Sequence, residues 1–221
     1  MLVGHTAIAL AGKRFEPKLS LGTLMAAALL ADLIGFVLIL LGIEHWTLKP
    51  GGSGVNAVDL DSIAWSHGLV PDLLWAGVLA GAYFLWRHQV RAAWILFAAI
   101  LSHWILDFVS HKPDMPLAPG ISARYGLGLW TSLPATLLIE GGLWLAALVV
   151  YVRATRASNR AGIYAFWPVI AFMTLAWISN FTAPPAAGSM TTAAVAALTF
   201  FTLLVAWAYW MDRVRKPEAA Y

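Results

Sequence analysis

Three residues near the middle of the chain, His103, Asp107 and His111, follow one another at intervals of four. At 3.6 residues per turn, this spacing places their side chains on one face of a helix. Two imidazoles and a carboxylate on one face can ligate a metal ion, as histidines one turn apart do in zinc helices. Pro113 ends the helix and leaves the carboxylate of Asp114 just beyond it. A hydrogen-bonded histidine–aspartate pair at a helix end is the competing interpretation.

Four other ionisable residues occur among apolar neighbours or at the ends of apolar runs: His5, Asp32, His67 and Glu140. A charged side chain at the centre of a lipid-embedded helix costs about 2.5 to 3.5 kcal/mol, so such residues are paired, hydrated or functional. For Asp32 and Glu140, a protonated carboxyl bonded to a neighbouring helix is an equally good interpretation. For His67, the alternative is a solvated histidine at the membrane interface.

The segments that carry these residues are long enough to cross a bilayer, since about 20 apolar residues cover a hydrocarbon core near 30 Å. Six such runs are found, at about 20–43, 68–86, 91–109, 132–152, 162–181 and 191–210. Each must be helical, because backbone polar groups find no water in lipid. The sequence therefore predicts an all-α polytopic membrane helix bundle, with residues 1–221 forming a single integral membrane domain.

The charges between these runs predict how the bundle lies in the membrane. Eleven basic residues fall on one side, namely Lys13, Arg14, Lys18, Arg87, Arg91, Arg153, Arg156, Arg160, Arg213, Arg215 and Lys216. The opposite side has Lys49, Lys112 and Arg124. The positive-inside rule then places both termini in the cytoplasm and the longer loops outside.

The first apolar segment, residues 2–12, is too short to span and ends at the basic pair Lys13-Arg14. It is predicted to enter the protein from the cytoplasmic face as a re-entrant or amphipathic segment. At helical rise, His5 would then lie about 12 Å from that face, while Asp32 would lie about 16 Å from the outer face. In a core near 30 Å thick, these two side chains fall at the same depth.

Composition excludes several classes of protein. With 61% hydrophobic and 11% charged residues, the chain differs from soluble domains, where about 25% of residues are charged. The absence of cysteine excludes disulfides, thiolate metal sites and a cysteine nucleophile. The basic residues follow the membrane topology rather than clustering on one element, so no nucleic-acid partner is predicted. Nucleophile-elbow, phosphate-loop and dinucleotide motifs are absent from the sequence.

Imidazole and carboxylate ligands without sulfur suit a divalent metal, with zinc as the first choice and manganese or iron as alternatives. The candidate ligands are His5, Asp32, His67, His103, Asp107 and His111. They exceed the four of a closed structural site, which favours an open mononuclear or a two-metal site. Such sites hydrolyse esters and phosphoesters, with Glu140 or Asp114 as the general base. A cavity at headgroup depth would admit a membrane lipid or a lipid-linked substrate from the side.

Four motifs in the first half of the chain carry a resemblance. They are Gly4-His5, Ala31-Asp32, Trp65-Ser66-His67 and Leu101-Ser102-His103-Trp104-Ile105-Leu106-Asp107. Between about residues 4 and 107, their order resembles that in the bacterial inner-membrane metal-dependent hydrolases. The His-x-x-x-Asp pair is more remotely similar to that of zinc-dependent phospholipase C enzymes.

The resemblance implies a metal-dependent hydrolase of the bacterial inner membrane, with ligands at the five His and Asp positions of these motifs. The chain departs from the family pattern after Asp32, where Leu33-Ile34-Gly35 stands in place of a further acid and a histidine. His111, Asp114 and Glu140 are the candidates to replace the missing ligands.

Two other functions compete with the hydrolase. Intramembrane Asp, Glu and His residues also form proton and ion pathways, so an ion- or proton-coupled transporter is the main alternative. Six helices without an internal repeat are few for a transporter, where inverted repeats are usual. The third interpretation is a membrane scaffold whose polar cluster holds a structural metal.

Overall fold

A computed structural model of the protein describes residues 1–48, 58–182 and 189–218. This part of the chain is a bundle of α-helices, which confirms the predicted fold class. The helices are α1 (Leu2–Phe15), α2 (Leu21–Ala28), α3 (Leu30–Leu40), α4 (Leu69–Arg87), α5 (Val90–Ser110), α6 (Leu133–Ala154), α7 (Arg160–Tyr164), α8 (Trp167–Thr182) and α9 (Met190–Val214). A 3-10 turn at Leu129–Thr131 precedes α6.

Short antiparallel strand pairs connect the helices at their ends. The strands are β1 (His45–Leu48) with β2 (Val58–Ser62), β3 (Met115–Pro116) with β4 (Arg124–Tyr125), and β5 (Thr155–Ala157) with β6 (Arg215–Pro217). The pairing of β5 with β6 joins the end of α6 to the end of α9. The strands therefore close the loops of the bundle and add little to its core.

Polar caps mark where several of the helices begin. The N-cap residues Ser20, Ser132, Asn159 and Ser189 each accept a hydrogen bond from the backbone N–H three residues later. Such a cap satisfies one of the donors that a helix leaves free in its first turn. The apolar runs predicted from the sequence therefore have well-defined starting points in the structure.

The chain is a membrane protein with several apolar helices. Five described helical segments are long and apolar enough to cross a membrane, and the bent pair α2–α3 makes a sixth if it is one span. These segments coincide with the six predicted runs. The run at 20–43 differs from expectation because it is two helices at 57° to one another rather than one.

The break between α2 and α3 falls at Leu29, whose backbone (φ −101°, ψ 10°) departs from the helical values. No proline or glycine stands there to signal it. The new helix starts at Leu30, so Asp32 lies in its first turn, where the helix dipole favours a carboxylate. The break thus provides a helix N-terminus that stabilises the Asp32 carboxylate within an apolar run.

Helix α1 lies inside the bundle and contacts α2, α5 and α6. Its side chains are buried on several faces, including Val3, His5 and Leu10, as expected of a helix surrounded by protein. At its C-terminal end, Lys13 Nζ lies 2.6 Å from Asp212 Oδ1 of α9. The predicted segment that enters the bundle from the basic end is therefore a buried helix of 14 residues.

The basic residues gather at one end of the bundle. Besides the Lys13–Asp212 pair, Arg91 Nε lies 3.8 Å from Glu16 Oε2 and links the start of α5 to the end of α1. Arg215 Nε donates to Thr155 Oγ1 at 3.2 Å and ties β6 to β5. Lys112 and Arg124 follow α5 at the other end, and Lys49 lies outside the described residues.

Helices α2 and α9 meet at a position that only glycine fits. A Cβ added to Gly22 would overlap the ring of Tyr209, and the ring carbon Cγ of Tyr209 would be the nearest atom. Gly142 of α6 faces open space within 4 Å. We expect Gly22→Ala to lower the free energy of unfolding by about 1 to 3 kcal/mol, because overpacking must separate the two helices.

Thermal unfolding in detergent measures this effect, with Gly142→Ala as the matched control. The control replaces a helical glycine by a better helix former and should be neutral or slightly stabilising. Equal unfolding temperatures for both variants would show that α2 and α9 do not pack in this way.

Candidate metal centre

Five side chains from four segments of the chain converge inside the bundle. They are His5 of α1, Asp32 of α3, His67 just before α4, and His103 and Asp107 of α5. They form two groups whose ligand atoms lie within 4.8 Å of one another: an inner group of His5, His103 and Asp107, and an outer group of Asp32, His67 and His103. His103 belongs to both groups and is the centre of the site.

The hydrogen bonds of His103 leave one of its ring nitrogens free. Its Nδ1–H donates to the carbonyl oxygen of Ala28 at 2.9 Å, next to the break between α2 and α3. In a neutral ring, Nε2 therefore carries a lone pair. This buried nitrogen has no hydrogen-bond partner among the described residues. It lies 3.3 Å from Asp107 Oδ2 and 3.9 Å from Asp32 Oδ1.

A lone pair that faces two carboxylates in a buried place is electrostatically unfavourable unless a positive charge lies between them. A bound cation or a proton on Nε2 supplies that charge. The arrangement therefore has the donor types and the unsatisfied nitrogen that a metal site requires.

The inner group is closed. The ring of His5 stacks on that of His103 with centroids 3.7 Å apart, and His5 Nε2 lies 3.1 Å from Asp107 Oδ1. The amino nitrogen of Met1 lies 2.7 Å from the same oxygen and 2.8 Å from His5 Nε2. A positively charged group thus already contacts the inner carboxylate.

The outer group is more open. His67 Nε2 lies 3.5 Å from Asp32 Oδ1, and these two side chains are 13% and 19% exposed, against 1% for His103. Gly35 of α3 permits the close approach of His67, because a Cβ there would lie 3.2 Å from His67 Cε1. Catalytic metal sites keep one coordination position open to water or substrate, whereas structural sites are closed by protein ligands.

Helix α5 ends at Ser110, and His111 is the residue just past it, with its backbone N–H still bonded to the carbonyl of Asp107. The Nδ1 of His111 lies 3.2 Å from Asp114 Oδ1. His111 is not a member of either ligand group within the described chain.

The two predicted general bases lie in a second layer around Trp130. Glu140 is fully buried and accepts a hydrogen bond from Trp130 Nε1 at 3.2 Å. The ring of His111, which contacts Asp114, lies 4.6 Å from the ring of Trp130. Contacts through the indole of Trp130 therefore connect Glu140 with His111 and Asp114. None of these three residues belongs to either ligand group.

Two buried carboxylates were missed by the sequence analysis. Glu44 accepts hydrogen bonds from the backbone and side chain of the Trp65-Ser66 turn. Asp72, in the first turn of α4, is 1% exposed, and neither of its oxygens is hydrogen-bonded among the described residues. The available signal was their position, since both are acidic residues at the mouth of an apolar run.

Comparisons with known proteins leave the site to be interpreted from its own chemistry. No family model matches the chain, and no curated protein and no solved structure matches it either. The resemblance to the bacterial inner-membrane metal-dependent hydrolases stays a prediction from the sequence.

The free nitrogen of His103 leads to a prediction about stability. A divalent cation that binds the folded chain at 100 times its dissociation constant should stabilise it by about 2.7 kcal/mol. We expect Zn²⁺ or Mn²⁺ to raise the unfolding temperature of the wild-type protein after chelator treatment. His103→Ala should abolish this rise, because both ligand groups lose their shared member.

The matched control is His88→Asn, which removes a histidine from the end of α4 at the basic end. His88 has a left-handed backbone (φ 53°), a conformation that asparagine tolerates. The metal-dependent rise in the unfolding temperature of His88→Asn should equal that of the wild type. An undiminished rise in His103→Ala would mean that the cation binds elsewhere.

Proposed function

We propose that the protein is a membrane-embedded, metal-dependent hydrolase that acts on a lipid or lipid-linked (phospho)ester. The observation that carries this proposal is the convergence of three histidines and two aspartates around the unsatisfied Nε2 of His103. Nitrogen and oxygen donors without sulfur fit zinc first, with manganese or iron as alternatives. When bound, such a cation polarises an ester or phosphoester and activates water for attack.

The outer group supports binding of this cation best. Asp32, His67 and His103 offer three ligand atoms, which is the number that catalytic zinc sites take from protein, and the edge at Asp32 and His67 is accessible. Asp107 and His5 lie behind His103 and hold its ring in place from the closed side.

The general base is assigned to Glu140 or Asp114. Glu140 Oε1 has no hydrogen-bond partner among the described residues, so it can accept a proton, while Oε2 is held by Trp130. Asp114 contacts His111 and belongs to the same layer. Asp114 lies beyond the end of α5 that is opposite the basic residues, and Glu140 lies about two turns inside α6 from the same end.

The charge distribution supports an outward-facing site. His67 precedes α4, whose other end carries Arg87, so the outer group is displaced away from the basic end. The positive-inside rule assigns the basic end to the cytoplasmic side of the membrane, and the resemblance implies that this membrane is the bacterial inner membrane. The outer group then opens toward the outer leaflet, and a membrane lipid is the substrate that reaches it without leaving the bilayer.

Hydrolysis of lipid esters is the direct test. Protein in detergent micelles or in vesicles should release headgroup or phosphate from phospholipids when Zn²⁺ or Mn²⁺ is supplied. Asp32→Asn and His67→Ala should lower the rate by more than the 10- to 100-fold that is typical for outer-shell changes. Glu16→Gln, a carboxylate at the basic end near Arg91, is the control and should retain the wild-type rate.

Solute or proton flux across vesicles, with no release of headgroup under any metal condition, would overturn the hydrolase. That result would favour the ion- or proton-coupled transporter.

Single cysteines test the orientation, because the chain has none of its own. Ser122 and Ser158 are both exposed and lie at opposite ends of the bundle. In intact spheroplasts, a membrane-impermeant maleimide should label Ser122→Cys and leave Ser158→Cys unlabelled until the membrane is opened. Labelling in the reverse order would move the site to the cytoplasmic face.

A further inference from the structure

Glu44 lies just beyond the end of α3 and collects three hydrogen bonds from one turn of the chain. Its Oε1 accepts from the backbone N–H groups of Trp65 and Ser66, at 2.7 and 2.9 Å. Its Oε2 accepts from the hydroxyl of Ser66 at 2.6 Å. Glu44 and Ser66 are almost fully buried, so these bonds have little competition from water.

The direction of these bonds determines which nitrogen of His67 carries a proton. A serine hydroxyl has one hydrogen, and Ser66 gives it to the carboxylate of Glu44. The Ser66 oxygen lies 2.7 Å from His67 Nδ1 and can only accept there, so His67 Nδ1 must carry the hydrogen. In the neutral ring, the lone pair is then on Nε2, the atom 3.5 Å from Asp32 Oδ1.

We infer that Glu44 and Ser66 are positioning residues that hold His67 in the tautomer whose Nε2 can ligate the cation. The inference rests on the proposed metal site and adds residues that touch neither cation nor substrate. Partners of this kind, which fix the orientation and tautomer of a ligating histidine, are typical of metal sites. In the outer group, the carbonyl of Ala28 does for His103 what Ser66 does for His67.

The backbone of α3 shapes the same contact. A Cβ on Gly35 would lie 3.0 Å from Ser66 Oγ and 3.2 Å from His67 Cε1, closer than ordinary van der Waals contact. The glycine therefore leaves room for the Ser66 hydroxyl and the His67 ring to lie against the helix that carries Asp32.

Glu44→Gln tests the inference because it preserves shape while reversing the hydrogen bonds. The amide oxygen of the glutamine can still accept from the N–H groups of Trp65 and Ser66. Its NH₂ group then faces Ser66 and donates to the hydroxyl. The hydroxyl hydrogen is left with two acceptors, His67 Nδ1 at 2.7 Å and the Ile63 carbonyl at 3.4 Å, and the shorter contact favours His67. The proton of the ring moves to Nε2, and the ligand lone pair is lost. We expect the affinity for Zn²⁺ to fall by about 10- to 100-fold.

Removing the hydroxyl as well should partly reverse this loss. In Glu44→Gln/Ser66→Ala, nothing donates to His67 Nδ1, so the ring is free to present Nε2 to the metal. The double variant should therefore bind Zn²⁺ more tightly than Glu44→Gln alone. A purely structural role for Glu44 and Ser66 predicts the opposite, since two disruptions of one turn would weaken binding at least as much as one.

Ser102→Ala is the matched control. Ser102 also directly precedes a ligand histidine, but its hydroxyl donates to the carbonyl of Ala99 within its own helix. Its Zn²⁺ affinity should stay within about 2-fold of the wild type, which is far smaller than the 10- to 100-fold change expected for loss of a partner that orients a ligand.

Calorimetric titration with Zn²⁺ measures the affinities, and nitrogen NMR of ¹⁵N-histidine-labelled, metal-free protein reads the tautomer of His67 directly. We expect Nδ1–H in the wild type and Nε2–H in Glu44→Gln. If the wild type shows Nδ1–H but binds no Zn²⁺, the inference about the tautomer stands and the proposed function falls. If the wild type binds Zn²⁺ and Glu44→Gln binds it equally well, the inference falls and the metal site stands.

Discussion

The structure depends on one constraint: every ionisable group buried in an apolar bundle must find a partner, because neither lipid nor packed side chains can solvate it. The described chain meets this constraint at the basic end with the Lys13–Asp212 pair and with Arg215, whose guanidinium donates to Thr155 and Gly162. Around His103 the constraint is met incompletely. A buried nitrogen without a hydrogen-bond partner lies beside two carboxylates there, and a proton or a bound cation has to supply the balancing charge.

Irregularities of the helices bring these groups together. The break at Leu29 turns α3 away from α2, which places Asp32 in a first turn and brings the Ala28 carbonyl against the ring of His103. Helix α5 ends at Ser110, and His111, just past it, contacts Asp114 and belongs to neither ligand group within the described chain. A straight first span would have kept the same residue types but would have produced a different arrangement of ligands.

The sequence was sufficient for features that depend on length and periodicity. Apolar runs of bilayer length predicted the spans, and the one-turn spacing of His103 and Asp107 placed both in the inner group. His5 and Asp32, which the depth arithmetic placed at one level, lie in the two different ligand groups that share His103. Features that depend on tertiary contacts could not be predicted from the sequence. The break at Leu29 has no local signal, and the partners of Glu44 lie in a turn more than 20 residues later in the chain.

The geometry also bears on how many cations the site can hold. His103 Nε2 has a single lone pair, so it can complete the inner group or the outer group, but not both at once. In the inner group, the Met1 amino nitrogen already contacts Asp107 and His5. In the outer group, the hydrogen bonds of His67 and His103 both direct a lone pair from Nε2 toward Asp32. Of the two arrangements expected from the sequence, the open site with one cation therefore agrees better with these contacts than a two-metal site.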